Sequence, residues 1–161
     1  MIIRSRSGLG RTGIILILAV ILVVGIVFAI MATRPPSPKT FEVSDVSLNP
    51  SEINVNSHAT LTFSIKNGDP SKSHSLTVIF NASSVTLYSG GAPLPVGNDG
   101  LQHYQIEIQS SQTSFGATLN VTATLTGGSL TSTYPIHFDF YDDNNVKFDS
   151  ETVNLKVDLS G

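Results

Sequence analysis

Four histidines, His58, His74, His103 and His137, and a cluster formed by Asp139, Asp142, Asp143, Asn144, Asn145 and Asp149 are the side chains best suited to chemistry in this sequence. Histidine can hold a transition metal or move a proton near neutral pH, and oxygen-bearing side chains crowded at one turn can ligate calcium. Spacing argues against both uses. The histidines are scattered, and the strand alternation described below turns His103 and His137 outward, so the four read as solvated surface groups. A run such as Asp142-Asp143-Asn144-Asn145 serves the backbone of a turn without any ion. Cysteine is absent, which removes thiolate nucleophiles, sulfur-based metal sites and disulfides. With methionine only at Met1 and Met31, a blue-copper site has no ligand set. No Gly-x-Ser-x-Gly, phosphate-binding glycine loop, His-Glu-x-x-His or EF-hand spacing occurs. The expectation is a protein that is not an enzyme, with no catalytic residue, no cofactor and no metal site.

Modification is the chemistry that the motifs do allow. Asn81-Ala82-Ser83 and Asn120-Val121-Thr122 are N-glycosylation sequons, so Asn81 and Asn120 are the candidate site residues, whereas the proline of Asn49-Pro50-Ser51 excludes that triplet. Use of either sequon requires an extracytoplasmic location, and the N-terminal segment supplies an argument for one. Between Arg11 and Arg34 the sequence TGIILILAVILVVGIVFAIMAT carries no charge. At about 1.5 Å per residue it crosses a hydrocarbon core of about 30 Å as a helix, the form that satisfies each backbone group within one segment. Residues 1–11 then form a basic cytoplasmic tail, 12–33 a transmembrane helix and 34–40 a Pro-rich spacer that prefers an extended form.

Charge sets the orientation. Arg4, Arg6, Arg11, Arg34 and Lys39 give the first 39 residues five positive charges, while the remainder carries all twelve acidic residues against four lysines, which leaves −8. Three arginines before the span place the N-terminus inside and the acidic part outside. That acidity repels phosphate backbones, so a nucleic-acid partner is not expected. Two other readings of the segment stay open. A cleaved signal peptide would use Val27-Phe28-Ala29 or Ile30-Met31-Ala32, and a prepilin-type leader would be cut after Gly13. The apolar run exceeds the roughly 7–15 residues of a secretory core, and it lacks the early Glu usual in pilins, so the uncleaved anchor is preferred.

From position 41 the hydrophobic period is two, and no amphipathic helix occurs. Strands are expected over Phe41–Leu48, Ala59–Lys66, Ser75–Asn81 and Val85–Tyr88. Further strands carry the inward rows Tyr104-Ile106-Ile108, Ala117-Leu119-Val121-Ala123-Leu125, Tyr134-Ile136-Phe138-Phe140 and Val153-Leu155-Val157. Asn67-Gly68-Asp69-Pro70 and Asp142–Asn145 are turns, and Ser89–Gly100 is the longest irregular segment. Seven or eight such strands in residues 41–161 predict an all-β fold, an immunoglobulin-like β-sandwich. The outer row Thr118, Asn120, Thr122, Thr124 and Thr126 is uncharged; on an edge strand it would accept a partner strand, and otherwise it is a solvated face.

Two blocks, VSLNPSEINVNSHATLTFSIKNGD and STYPIHFDFYDDNNVKFDSETVNLKV, resemble the opening strands and the closing hairpin of immunoglobulin-like modules of the CARDB and S-layer-associated kind, common on archaeal cell surfaces. One anchor plus one such module also resembles the archaellum-associated stator proteins. The resemblance implies a sandwich at the cell surface and says little about activity. The functional expectation is a binding or structural module that links the membrane, through residues 12–33, to an envelope or surface-layer protein, a surface filament or another copy of itself. The alternative is an accessory subunit of a membrane enzyme complex, for which Gly25 and Ala29 offer small-xxx-small spacing to another helix.

Overall fold

Alternation of apolar and hydroxyl side chains recurs from Phe41 to Val157, and a sheet buries such a sequence on one face only. The computed structural model describes residues 40–54, 56–123 and 131–158. Ten strands result: β1 (Phe41–Asn49), β2 (Glu52–Asn54), β3 (Ala59–Asn67), β4 (His74–Asn81), β5 (Val85–Ser89), β6 (Ala92–Pro93), β7 (Gln102–Ile108), β8 (Ser114–Ala123), β9 (Thr131–Tyr141) and β10 (Lys147–Asp158). Seven or eight were expected. The two with no counterpart in that reading, β2 and β6, have three and two residues, too short for alternation to reveal. The proposed anchor at 12–33, its flanking segments through residue 39, the alternative cleavage regions and Leu125 of the inward row lie outside the described residues; among those described, no helix is long and apolar enough to cross a membrane.

The strands form two five-stranded sheets, β1-β3-β8-β5-β6 and β2-β10-β9-β4-β7. All described pairs are antiparallel except β2 with β10. The order β1-β3-β8-β5 matches the ABED sheet of an immunoglobulin sandwich, and β10-β9-β4 matches its GFC sheet. The all-β sandwich read from the sequence is therefore present. β8 lies between β3 and β5, so of the two readings of its threonine row the solvated face holds and the edge strand does not. β3 pairs with Ser114–Val121 of β8 and β5 with its Asn120–Ala123, so both sides of the ladder are taken at Asn120 and Val121. Composition carried the signal: Ser114–Ala123 contains no charge, whereas the outermost long strands β1 and β7 carry Glu42, Asp45 and Glu107.

The inward rows of both sheets meet in one core. Leu61, Phe63 and Ile65 of β3, Leu119 and Val121 of β8, Val78 and Phe80 of β4 and Ile136, Phe138 and Phe140 of β9 are almost wholly removed from solvent. Burying each such side chain contributes about 1.5–3 kcal/mol. Phe138 is the hub: its ring centroid lies 5.3 Å from Phe80, 5.5 Å from Phe140 and 6.1 Å from Phe63. Segment 89–100, expected as irregular, is built. Leu94 buries its side chain, Leu94 N–H donates to Leu87 O at 2.9 Å, and His103 N–H donates to Pro95 O at 2.8 Å.

Candidate functional site

Titratable side chains come first, because they are where catalysis would reside. His74 is the main departure from expectation. It was placed with the solvated histidines, yet its side chain is 1% exposed. β4 begins one residue earlier than expected, at His74, which puts that residue in the inward row with Leu76, Val78 and Phe80. The parity was legible; the polar residue type concealed it. His74 Nδ1 lies 2.8 Å from Asp143 Oδ2, and Nε2 lies 2.9 Å from the Asp69 carbonyl oxygen. Both partners accept, so both nitrogens donate only when the ring is an imidazolium. Burial opposes that charge, but the Asp69 carbonyl and the Asp143 carboxylate outweigh it and hold the His74 pKa above its ordinary value. For Asp143, burial pushes upward and is outweighed by donation from His74 and from Ser75 N–H, so its pKa is lowered.

Around this pair the chain is knotted. Phe41 packs edge-on against the His74 ring at 4.9 Å, and Gly68 N–H donates to Thr40 O at 2.7 Å. Buried Asn67 donates from Nδ2 to Gln112 O and accepts from Asp69 N–H. The knot thus fastens the start of β1, where the chain enters the domain.

A second cluster, His137, Asp139, Lys147, Ser150 and Thr152, has the residue types of a nucleophilic relay but the wrong geometry. A relay needs the carboxylate on one ring nitrogen and the hydroxyl on the other. Here Nε2 faces both Asp139 Oδ1 at 3.1 Å and Ser150 Oγ at 3.4 Å, while Nδ1 is taken by Thr152 Oγ1 at 2.9 Å. Asp139 is further held by Lys147 at 2.7 Å and Ser150 at 2.8 Å. Burial raises its pKa, and these donors overcome that and lower it. His103 Nε2 meets both oxygens of Asp99 across the turn at Gly97–Leu101, and His58 is exposed.

The acidic turn is likewise occupied by its own chain. Asp142 Oδ1 accepts from Asn144 N–H at 3.0 Å and Val146 N–H at 2.8 Å, and Asn145 adopts the left-handed region at φ 59°. Asp149 accepts from Val43 and Ser150 N–H. Among the described residues no group of three or more His, Asp or Glu side chains could hold a metal ion.

What remains is a face. The outward rows of β1, β3, β8 and β5 come into register as Asn49–Thr60–Asn120–Tyr88, Ser47–Thr62–Thr118 and Ser44–Ser64–Gly116. These three rows carry hydroxyl, amide and glycine side chains and no charge. Ser47 Oγ and Thr62 Oγ1 are 2.9 Å apart. Neutral groups on paired strands form a rigid surface that is cheaper to dehydrate than a charged one. Asn120 is exposed in the first of these rows, and Asn81 is exposed at the end of β4 in the other sheet. Thr124 and Thr126 lie outside the described residues.

No family model matches this sequence, and no curated protein matches it. Among solved structures, the domain is similar to the CooA pilin subunit of enterotoxigenic Escherichia coli, at 13% identity and a TM-score of 0.47, over 76% of this chain and 99% of that one. It is also similar to a Pyrococcus furiosus CARDB domain solved in complex with di-metal ions, at 17% identity and a TM-score of 0.44, over 76% of this chain and 97% of that one. The major pilin subunit BcpA of Bacillus cereus aligns at 11% identity and a TM-score of 0.38, over 74% of this chain and 40% of that one. Likenesses this distant carry no argument about function; the sandwich rests on the sheet order given above.

Proposed function

We propose that this protein is a non-catalytic binding and structural module. A single helix over 12–33 anchors it in the membrane, its β-sandwich lies on the extracytoplasmic side, and it links the membrane to an envelope or surface-layer protein or a surface filament. The observation that carries the reading is the patch of three uncharged, hydroxyl-rich rows on the outward side of the β1-β3-β8-β5 sheet, bounded at one end by the Glu42–Lys66 row. Its rows run across β1, β3 and β8, while the charged pairs His74–Asp143, His103–Asp99 and Lys147–Asp139 are engaged within the domain. A protein partner on such a face gains contact and hydrogen bonds without stripping water from ions.

The test compares the wild-type chain with a Thr62→Lys/Thr118→Lys double variant, each recovered from gently solubilised membranes with what it holds. Wild type should bring down an envelope or filament protein, and the variant, equally abundant and folded, should lose it. Recovery of respiratory or transport subunits by both proteins would instead support an accessory role in a membrane enzyme complex.

A further inference from the structure

We propose that Asn81 is a glycan acceptor, that the first sugars of its glycan seat in the hollow beside it, and that Asn120 stays bare. The inference rests on the extracytoplasmic location proposed above and adds to it a modification site and its ligand.

The two sequons sit in unlike backbones. Asn120 and Thr122 are interior to β8, paired to Thr60 on one side and to Tyr88 and Thr86 on the other. The Thr122 hydroxyl already donates to Thr86 O at 3.4 Å, and a segment held by neighbours on both sides at Asn120 cannot bend inside a transferase without breaking the sheet. Asn81 is the last residue of β4. The chain then leaves the ladder through Ala82 and Ser83, and Ser84 takes the left-handed region at φ 61°. A transferase can bend this segment so that the Ser83 hydroxyl meets the Asn81 amide.

Next to Asn81 is an open hollow of about 520 Å³, within the roughly 300–1,000 Å³ of small-molecule sites. Val85, Leu94 and Val96 line it together with Ser83 and Thr86, which suits a sugar ring with its apolar C–H face and hydroxyl rim. Val96 is 63% exposed, one of two large apolar side chains so exposed among the described residues. A tethered glycan covers it. A bare Asn120 is also what the proposed binding face requires, since a glycan there would stand over one of its three rows.

The transfer is a substitution at the anomeric carbon of a lipid-phosphate-linked oligosaccharide. The Asn81 Nδ2 lone pair forms the N–C1 bond, the C1–O bond breaks with its electrons leaving on the lipid phosphate, and one amide proton passes to a base of the transferase.

The experiment uses the full chain expressed in its own cells with Ser110→Cys, an exposed position off the proposed binding face and the only thiol in the protein. Labelling of intact cells by an impermeant maleimide reports the side of the membrane, and peptide mass spectrometry reports both sequons. The expected result is external labelling, a glycan on Asn81, an unmodified Asn120, and loss of the whole mass increment in Asn81→Gln but not in Asn120→Gln. External labelling with a bare Asn81, or with the glycan on Asn120, overturns the proposal while leaving the location intact; absence of external labelling removes the location and the proposal with it. Amide exchange near Val96 should slow at least about threefold in the glycosylated protein relative to Asn81→Gln, and equal rates would overturn the seat in the hollow.

Discussion

Replacing Asp143 with Asn removes one charge from the knot at His74 and leaves the size of the side chain unchanged. In the wild type the Asp143 carboxylate accepts from His74 Nδ1 and from Ser75 N–H, each at 2.8 Å, and the His74 side chain is 1% exposed. A hydrogen bond to a charged group contributes about 1.5–3 kcal/mol. For a domain of this size 1 kcal/mol is worth roughly 4 °C, so the variant should melt about 6–12 °C lower, as followed by circular dichroism. The pH profile is the sharper readout. The folded pKa of His74 is raised from 6.5, so its contribution is complete below pH 6.5 and is lost as pH rises through the raised value. The folded pKa of Asp143 is lowered from 3.8, so its contribution is present above pH 3.8 and is lost as pH falls through the lowered value. The difference between wild type and variant should therefore be greatest between those two limits and shrink on either side. A penalty below about 0.5 kcal/mol, or one that stays constant into the alkaline range, would refute the assignment of a buried imidazolium.

Two further outcomes follow from the packing and the acidic turn. Phe138→Ala empties the centre of the aromatic cluster and should cost about 3–5 kcal/mol in a chemical denaturation series, a large part of the stability of an ordinary domain. Melting in calcium and in chelator should give the same midpoint, because the carboxylates of Asp142, Asp143 and Asp149 already accept hydrogen bonds from their own chain; a calcium-dependent rise would show that the turn rearranges around an ion.

Much of this architecture was legible in the sequence. Period-two alternation located eight strands and nearly every inward row, because a sheet with one wet face imposes that period on its residues. Pairing between distant strands leaves no such local trace. The central position of β8 left no trace but its lack of charge, which an edge strand would equally have allowed, and β2 and β6 are held by neighbours rather than by a pattern of their own. His74 shows the limit of reading by residue type: its parity pointed inward, while the partners that make burial tolerable, Asp143 and the Asp69 carbonyl, became visible only in three dimensions. The hydroxyl face was visible as a single row on β8, and its continuation through Thr62, Ser47 and Tyr88 depends on register.

The central claim is that this face binds a partner outside the membrane, and a photocrosslinking residue placed at Thr118 in intact cells tests it most directly. Glu107, exposed on the opposite sheet, serves as the control position. The account predicts a covalent adduct with one envelope or filament protein from position 118 and none from position 107. Equal adducts from both positions, or an adduct with a membrane enzyme subunit, would contradict it.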